Sequence, residues 1–136
     1  MVNRLIELFN SQEKHLENLL LLLEVQYKMI MAKDAFGLEG LVSKLEKESK
    51  LIAQIEVERR NLINNASIVE YVNRSDDDNL KKSYKSLVEM LEKAIEKKNT
   101  NELLLKQQVI FTNKMLSIMN PDRQIKTYNS NGNLSK

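Results

Sequence analysis

The sequence lacks several residue types on which whole classes of protein depend. Among its 136 residues there are no cysteines and no tryptophans, one proline and three glycines, and aromatic residues make up 5% of the chain. Without cysteine, a disulfide scaffold, thiolate catalysis and cysteine metal sites are excluded. The scarcity of glycine and proline leaves too few turn residues for an all-β fold. The abundant Leu, Glu and Lys residues favour helices instead.

The sequence also lacks a charge imbalance and a long hydrophobic run. Lys and Arg number 21, Asp and Glu number 19, and the net charge of +2 indicates no basic surface for nucleic acid. The apolar run Leu19–Leu23 is far shorter than the ~20 residues that span a membrane. The N-terminus has neither the apolar stretch nor the small-residue cleavage site of a signal peptide. We therefore expect a cytoplasmic protein that neither inserts into a membrane nor binds nucleic acid.

The sequence does contain segments in which apolar residues recur at helical spacing, so that they form one stripe along a helix, here called its seam. In the second segment the seam is Leu38, Leu41, Leu45, Ile52, Ile55 and Leu62. Glu48 and Arg59 interrupt it, and Glu13 interrupts the seam of the first segment. Such charges either fix the register between helices or meet a partner's charges, and we favour register. The apolar surface of the first segment widens at Leu19–Leu22, so we expect that turn to contact two neighbours.

Polar clusters place the boundaries of these segments. Asp34 is a candidate N-cap, the cluster Asn73–Asn79 separates the second segment from the third, and Pro121 ends the third. The sequence therefore predicts an all-α fold of three long antiparallel helices, at about 2–33, 35–72 and 78–119, packed coiled-coil fashion within a bundle of residues 1–120. Residues 121–136 are polar and rich in Asn, which predicts a flexible, disordered tail.

Residues that could perform chemistry are few. His15 is the only histidine, and it lies off the main seam, as expected of a surface residue. The run Asp76–Asp78 lacks the alternating ligands and central glycine of a calcium loop, so we interpret it as a turn and helix cap. Neither a glycine-rich phosphate loop nor a nucleophile elbow is present. We expect no enzyme activity, no cofactor and no metal site.

The end of the third segment is more informative. In Leu103–Met119 the apolar residues occupy an arc of roughly 260° on a helical wheel, where a surface helix needs ~100°. The seam toward the second helix is predicted to pass through Leu105, Gln108, Thr112, Met115 and Met119. The excess apolar face needs another element to cover it: the first helix, a second copy, or an amphipathic helix of another protein. The candidate binding residues are Leu103, Leu104, Ile110, Phe111 and Ile118.

Two stretches of the chain carry a resemblance to a known family. The segment KDAFGLEGLVSKLEKESKLIAQIEVERRNLI, residues 33–63, closes on Glu58, Arg59, Arg60 and Leu62. After the long third helix, Thr127–Asn133 reads TYNSNGN. In this order the segments resemble FlgN-type flagellar export chaperones over nearly the whole chain. The sequence departs from that pattern in Pro121 and in its Asn-rich end.

The resemblance implies a cytoplasmic, all-helical chaperone of the flagellar type III export system. Such proteins bind the C-terminal helices of hook-associated (filament-junction) proteins, their clients, chiefly through their own C-terminal segment, and prevent premature assembly. A tail tyrosine, which corresponds to Tyr128, docks on the cytoplasmic domain of the export gate's membrane protein. Two other functions stay open: a structural coiled-coil protein that homodimerises through the third helix, and a small enzyme regulator or scaffold. The sequence allows a monomer or a homodimer.

Overall fold

Helices account for most of the residues that the structure describes. The computed structural model describes residues 1–119, 127–128 and 134–135. Helix α1 is Val2–Met31, α2 is Ala35–Leu62, α3 is Ile68–Arg74 and α4 is Asp78–Met119. The two-residue strands β1, Thr127–Tyr128, and β2, Leu134–Ser135, pair antiparallel. The prediction of a helical protein is confirmed, but residues 1–119 form four helices where three were predicted.

The chain divides into two units, Met1–Asn99 and Thr100–Lys136. The core of the first unit is built from apolar residues that recur four or seven positions apart in α1 and α4, a spacing that places them on one face of each helix. Ile63, which follows α2, and Val72 of α3 also belong to this core. The buried cluster consists of Leu5, Phe9, Leu16, Ile63, Val72, Leu80, Leu87 and Ala94.

Side-chain contacts fix the directions of the helices in the first unit. Arg4 near the start of α1 pairs with Glu58 near the end of α2 at 2.8 Å. His15 pairs with Glu48, so the residue numbers fall along α2 as they rise along α1, and the two helices are antiparallel. Two contacts join α1 to α4. The Phe9 ring of α1 lies 5.5 Å from the Tyr84 ring of α4, centroid to centroid, and the Lys97 ammonium of α4 lies 3.9 Å from the centre of the Tyr27 ring of α1. Because the residue numbers rise together along both helices, α4 runs parallel to α1 within the first unit. The coiled-coil packing of three long helices stays a prediction.

A tight turn connects α1 to α2. Lys33 adopts a left-handed backbone with φ of 56°, and Asp34 then caps α2 by accepting a hydrogen bond from the Gly37 N–H at 2.9 Å. A Cβ atom at Gly37 would collide with the Asp34 carboxylate, so a larger residue there would require that side chain to shift from its capping position. The N-cap predicted at Asp34 is confirmed.

The single helix predicted over 35–72 is wrong beyond Leu62, where α2 ends and the chain breaks before α3. Asn64 and Asn65 follow with φ of 55° and 61°, a left-handed conformation that Asn tolerates better than most residues. The Asn65 N–H donates a hydrogen bond to the Arg60 carbonyl at 2.8 Å, which satisfies a carbonyl in the last turn of α2. Ser67 then caps α3 by accepting from the Glu70 N–H at 3.4 Å.

Helix α4 begins where the acidic cluster was expected to cap it. The Asp77 side chain accepts a hydrogen bond from the Leu80 N–H at 3.1 Å. From Asp78 the helix continues for 42 residues to Met119 without a break. The predicted disordered tail, 121–136, lies outside the described residues except for β1 and β2, in which Thr127 pairs with Ser135 and Tyr128 with Leu134.

Candidate functional site

The charged residues in the helix seams contact side chains of neighbouring helices within the chain. Arg59 Nη1 donates to Gln12 Oε1 on α1 at 2.9 Å, and the guanidinium carbon lies 5.5 Å from the centre of the Phe9 ring. Gln12 is buried and also donates to the Ile52 carbonyl at 3.3 Å. Burial lowers the pKa of the Arg59 guanidinium from its ordinary value. Arg59 therefore contacts α1 within the chain, which favours the register interpretation.

The two acidic interruptions have partners of the same kind. Glu48 Oε2 on α2 lies 2.8 Å from His15 Nδ1 on α1. Glu13 on α1 accepts a hydrogen bond from the Ser86 hydroxyl on α4. His15 is thus half-buried and paired across the α1–α2 interface, and the prediction that it is a surface residue is wrong.

Residues 1–119, 127–128 and 134–135 form neither a metal site nor a membrane-spanning helix. No group of three or more His, Cys, Asp or Glu residues in those ranges is placed to hold a metal ion. No helix formed there is long and apolar enough to cross a membrane. What this part of the chain does present is exposed apolar surface, and most of it lies on α4.

The last part of α4, within the second unit, carries the predicted binding residues. Their exposed fractions are 56% for Leu103, 46% for Ile110, 59% for Phe111 and 73% for Ile118, whereas Leu104 is half-buried. On a helix these four exposed residues fall on one side, which Gln107 and Lys114 also share. Leu104 lies at the edge of that side, next to the buried Asn101.

The opposite side of this part of α4 differs from the prediction. Leu105 and Gln108 are half-buried, but Thr112, Met115 and Met119 are exposed, so the expected seam toward the second helix is wrong beyond Gln108. Seven of the seventeen large hydrophobic residues that are exposed in the described chain lie between Leu103 and Met119. This surface, called the α4 apolar surface below, consists of Leu103, Val109, Ile110, Phe111, Met115, Ile118 and Met119.

Comparison with known proteins gives the chain its family. The model of the FlgN family, described as FlgN protein, matches residues 1–136, which is the whole chain. The chain belongs to the FlgN family. No curated protein and no solved structure matches it. FlgN proteins are chaperones of flagellar export that bind flagellar substrate proteins, and they are not known as enzymes.

The residues that carry the FlgN resemblance in α2 have structural partners. Glu58 binds Arg4 on α1 at 2.8 Å, and Arg60 binds Glu56 one turn earlier at 2.7 Å. Together with the hydrogen bond from Arg59 to Gln12, the pair of Glu58 with Arg4 holds the end of α2 against α1. Tyr128, which carries the resemblance in the tail, lies in β1 opposite Leu134.

Three residues of the α4 apolar surface were missing from the predicted set: Val109, Met115 and Met119. The sequence pattern did contain these three residues, because all of them belong to the apolar arc of roughly 260° on the helical wheel. The sequence pattern places Met115 and Met119 on the seam toward the second helix and also suits them to packing against a partner, and in the structure both are exposed. An unbranched thioether side chain packs adaptably, which suits a surface that binds another helix.

Proposed function

We propose that this FlgN-family chain is a cytoplasmic flagellar export chaperone that binds the C-terminal helical region of hook-associated proteins through the α4 apolar surface. The single observation that supports this assignment is the run of exposed Leu, Ile, Phe and Met side chains over the last five turns of α4. Large amounts of exposed apolar surface on a soluble protein mark sites that bind something. Membership of the FlgN family supplies the class of partner.

The mechanism follows from helix-in-groove recognition. An amphipathic client helix lays its apolar residues against Ile110, Phe111 and their neighbours, and both surfaces leave water. Each fully buried Leu, Ile or Phe side chain contributes about 1.5–3 kcal/mol before the ordering costs are subtracted. A client helix covered in this way cannot pack against another copy of the client, so assembly waits until the chaperone is released. No bond is made or broken.

Delivery to the export gate is the second part of the proposal. Tyr128 is the candidate docking residue for the cytoplasmic domain of the gate's membrane protein. It lies nine residues beyond the end of α4. A tyrosine supplies a large contact area and one hydroxyl at a small cost in side-chain ordering, which is why it is common among anchor residues.

The experiment that tests client binding is a calorimetric titration of the full chain with the isolated C-terminal region of a hook-associated protein. Light scattering of the free chain and of the mixture accompanies it. The proposal predicts saturable binding, with one client segment for each chain. The competing function, a structural coiled coil that homodimerises through α4, predicts a tight dimer of the free chain whose mass does not change when the client is added.

A further inference from the structure

A second surface lies between α1 and α2, within the first unit and far along the chain from the α4 apolar surface. The groove is lined by Leu21, Leu22 and Val25 of α1 and by Lys44 and Lys47 of α2, and Asn18 and Glu48 close one end. Leu21 is 60% exposed, and Val25 is exposed as well. The turn Leu19–Leu22 was expected to contact two neighbours. Leu19 does pack against the core of the first unit, but Leu21 points into this groove.

The exposed charges that line the groove are of one sign. Lys44 and Lys47 are both exposed, and within the described residues neither forms an ion pair. Glu48, the one carboxylate among the lining residues, is held by His15 at 2.8 Å. The groove therefore offers an apolar floor with two unneutralised ammonium groups on the α2 side. Its electrostatic complement is an apolar stripe with acidic residues along one border.

A glycine extends the same surface toward the start of α2. Gly40 precedes Lys44 by four residues and Lys47 by seven, and residues at that spacing share one side of a helix. A glycine inside a helix is less favourable than alanine by roughly 1 kcal/mol. The fold does not require it, because a Cβ atom built on Gly40 would meet nothing within 4 Å. The missing side chain leaves room for a partner's backbone to come close.

We propose that the α1–α2 groove docks an amphipathic helix of a partner protein, one whose apolar stripe is bordered by Asp and Glu. A helix suits the site because two antiparallel helices form an elongated groove that a third helix can fill. The chain's own α4 does not suit it. Residues 100–119 carry Lys106 and Lys114 against the single acidic residue Glu102, so a second copy of that helix would bring positive charge to Lys44 and Lys47. This inference does not depend on the function of the α4 apolar surface.

The test uses two labelled synthetic helical peptides that share one leucine stripe, one bordered by Glu and the other by Lys, titrated by fluorescence anisotropy. The protein is the full chain carrying Ile110→Asp, so that the α4 apolar surface does not capture the probe. The acidic peptide is expected to bind at least ~10-fold more tightly than the basic one, a difference of about 1.4 kcal/mol. The double variant Lys44→Glu/Lys47→Glu is expected to reverse that order. The matched control Lys81→Glu/Lys85→Glu, which changes two exposed lysines of α4, should leave it unchanged.

Gly40→Ala gives a readout that damage to the fold cannot imitate. It is expected to raise the melting temperature by a few degrees, because alanine stabilises the helix, and to weaken acidic-peptide binding roughly tenfold by filling the approach site. Equal binding of the two peptides, or no binding, overturns the proposal. So does unchanged affinity in Gly40→Ala, or a wild-type dimer that Leu21→Ser dissociates, since a second copy would then occupy the groove.

Discussion

At the scale of single residues, polar groups in the helix seams determine how the helices of the first unit pair. Each of the three charged interruptions, Glu13, Glu48 and Arg59, meets a polar partner on a neighbouring helix. A helix that slid along its neighbour would leave these half-buried groups without hydrogen bonds, at a cost of about 1–3 kcal/mol for each. The apolar contacts alone specify register less sharply, since Leu and Ile are tolerant of small shifts. These charges therefore contribute more to specificity than to net stability.

Gln12 and Arg59 allow this account to be tested as a pair. Gln12→Leu is expected to lower the free energy of unfolding by about 1–2 kcal/mol, because it removes the acceptor of the half-buried guanidinium. Adding Arg59→Leu should recover most of that loss, since neither partner is then left unpaired. Urea unfolding of the two single variants and the double variant measures the coupling. Losses that simply add would show that the bond from Arg59 to Gln12 does not stabilise the pairing of α1 with α2.

At the scale of elements, the helix ends are set by a few polar residues with defined backbone roles. Asp34, Ser67 and Asp77 each cap a following helix through the side chain. Asn64 and Asn65 end α2, because both adopt a left-handed backbone conformation, one after the other. Because the chain has so few glycines, asparagine performs the helix-terminating role that glycine usually has.

The break after α2 predicts a difference between two substitutions at Asn65. Asn65→Ala is expected to lower the free energy of unfolding by about 1 kcal/mol, because alanine is strained at a φ of 61°. Asn65→Gly should be neutral or slightly stabilising, since glycine adopts that conformation freely. Asn61→Ala, within α2, is the helical control and should not destabilise. Thermal melting decides the point, and equal melting temperatures for Asn65→Ala and Asn65→Gly would contradict it.

Elements with strong end signals were predictable from the sequence, and those with weaker ones were not. The acidic run Asp76–Asp78 indicated the start of α4, and Pro121 indicated its end. The end of α2 was missed because apolar residues continue past Leu62 and Asn is a weaker helix breaker than Gly or Pro. Ser67 followed three residues later by Glu70 is the capping-box pattern that could have revealed α3. The groove of Leu21 and Lys44 could not be predicted, because it depends on how two helices pair.

At the scale of the whole molecule, the chain combines a buried core in residues 1–99 with a helix end whose apolar side chains remain exposed. Apolar surface that is left uncovered costs the free protein about 25 cal/mol for each Å² exposed to water. A partner that covers it recovers that free energy as affinity. A binding surface built in this way is expected of a chaperone and has no need of catalytic groups.

Tyr128 belongs to the delivery step and is expected to act separately from client binding. Tyr128→Ala should weaken binding to the isolated cytoplasmic domain of the export gate's membrane protein by at least ~10-fold, because it removes the aromatic anchor. Calorimetric titration with the client region should be unchanged, since the substitution lies outside α4. Tyr128→Phe, which keeps the aromatic ring, is the matched control and should retain most of the affinity. Equal affinity of Tyr128→Ala and wild type for the gate domain would remove this residue from the proposed site.

The α4 apolar surface is proposed to be a binding site and not part of the folded core. Ile110→Asp tests it, with two matched variants on the same helix. Leu87 is buried at 4% exposure, so Leu87→Asp should unfold the protein, whereas Lys85→Asp changes an exposed lysine of α4 outside the α4 apolar surface and should affect neither folding nor binding. The three variants separate loss of the fold from loss of the surface.

The measurement is calorimetric titration of Ile110→Asp with the C-terminal region of a hook-associated protein, alongside thermal melting of the free variant. We expect a melting temperature close to that of the wild type, because a carboxylate at this exposed position stays in water. We expect client affinity to fall by at least ~100-fold, since the same carboxylate would be buried without a partner in the complex. A variant that unfolds, or one that binds the client as tightly as the wild type, would contradict the central claim.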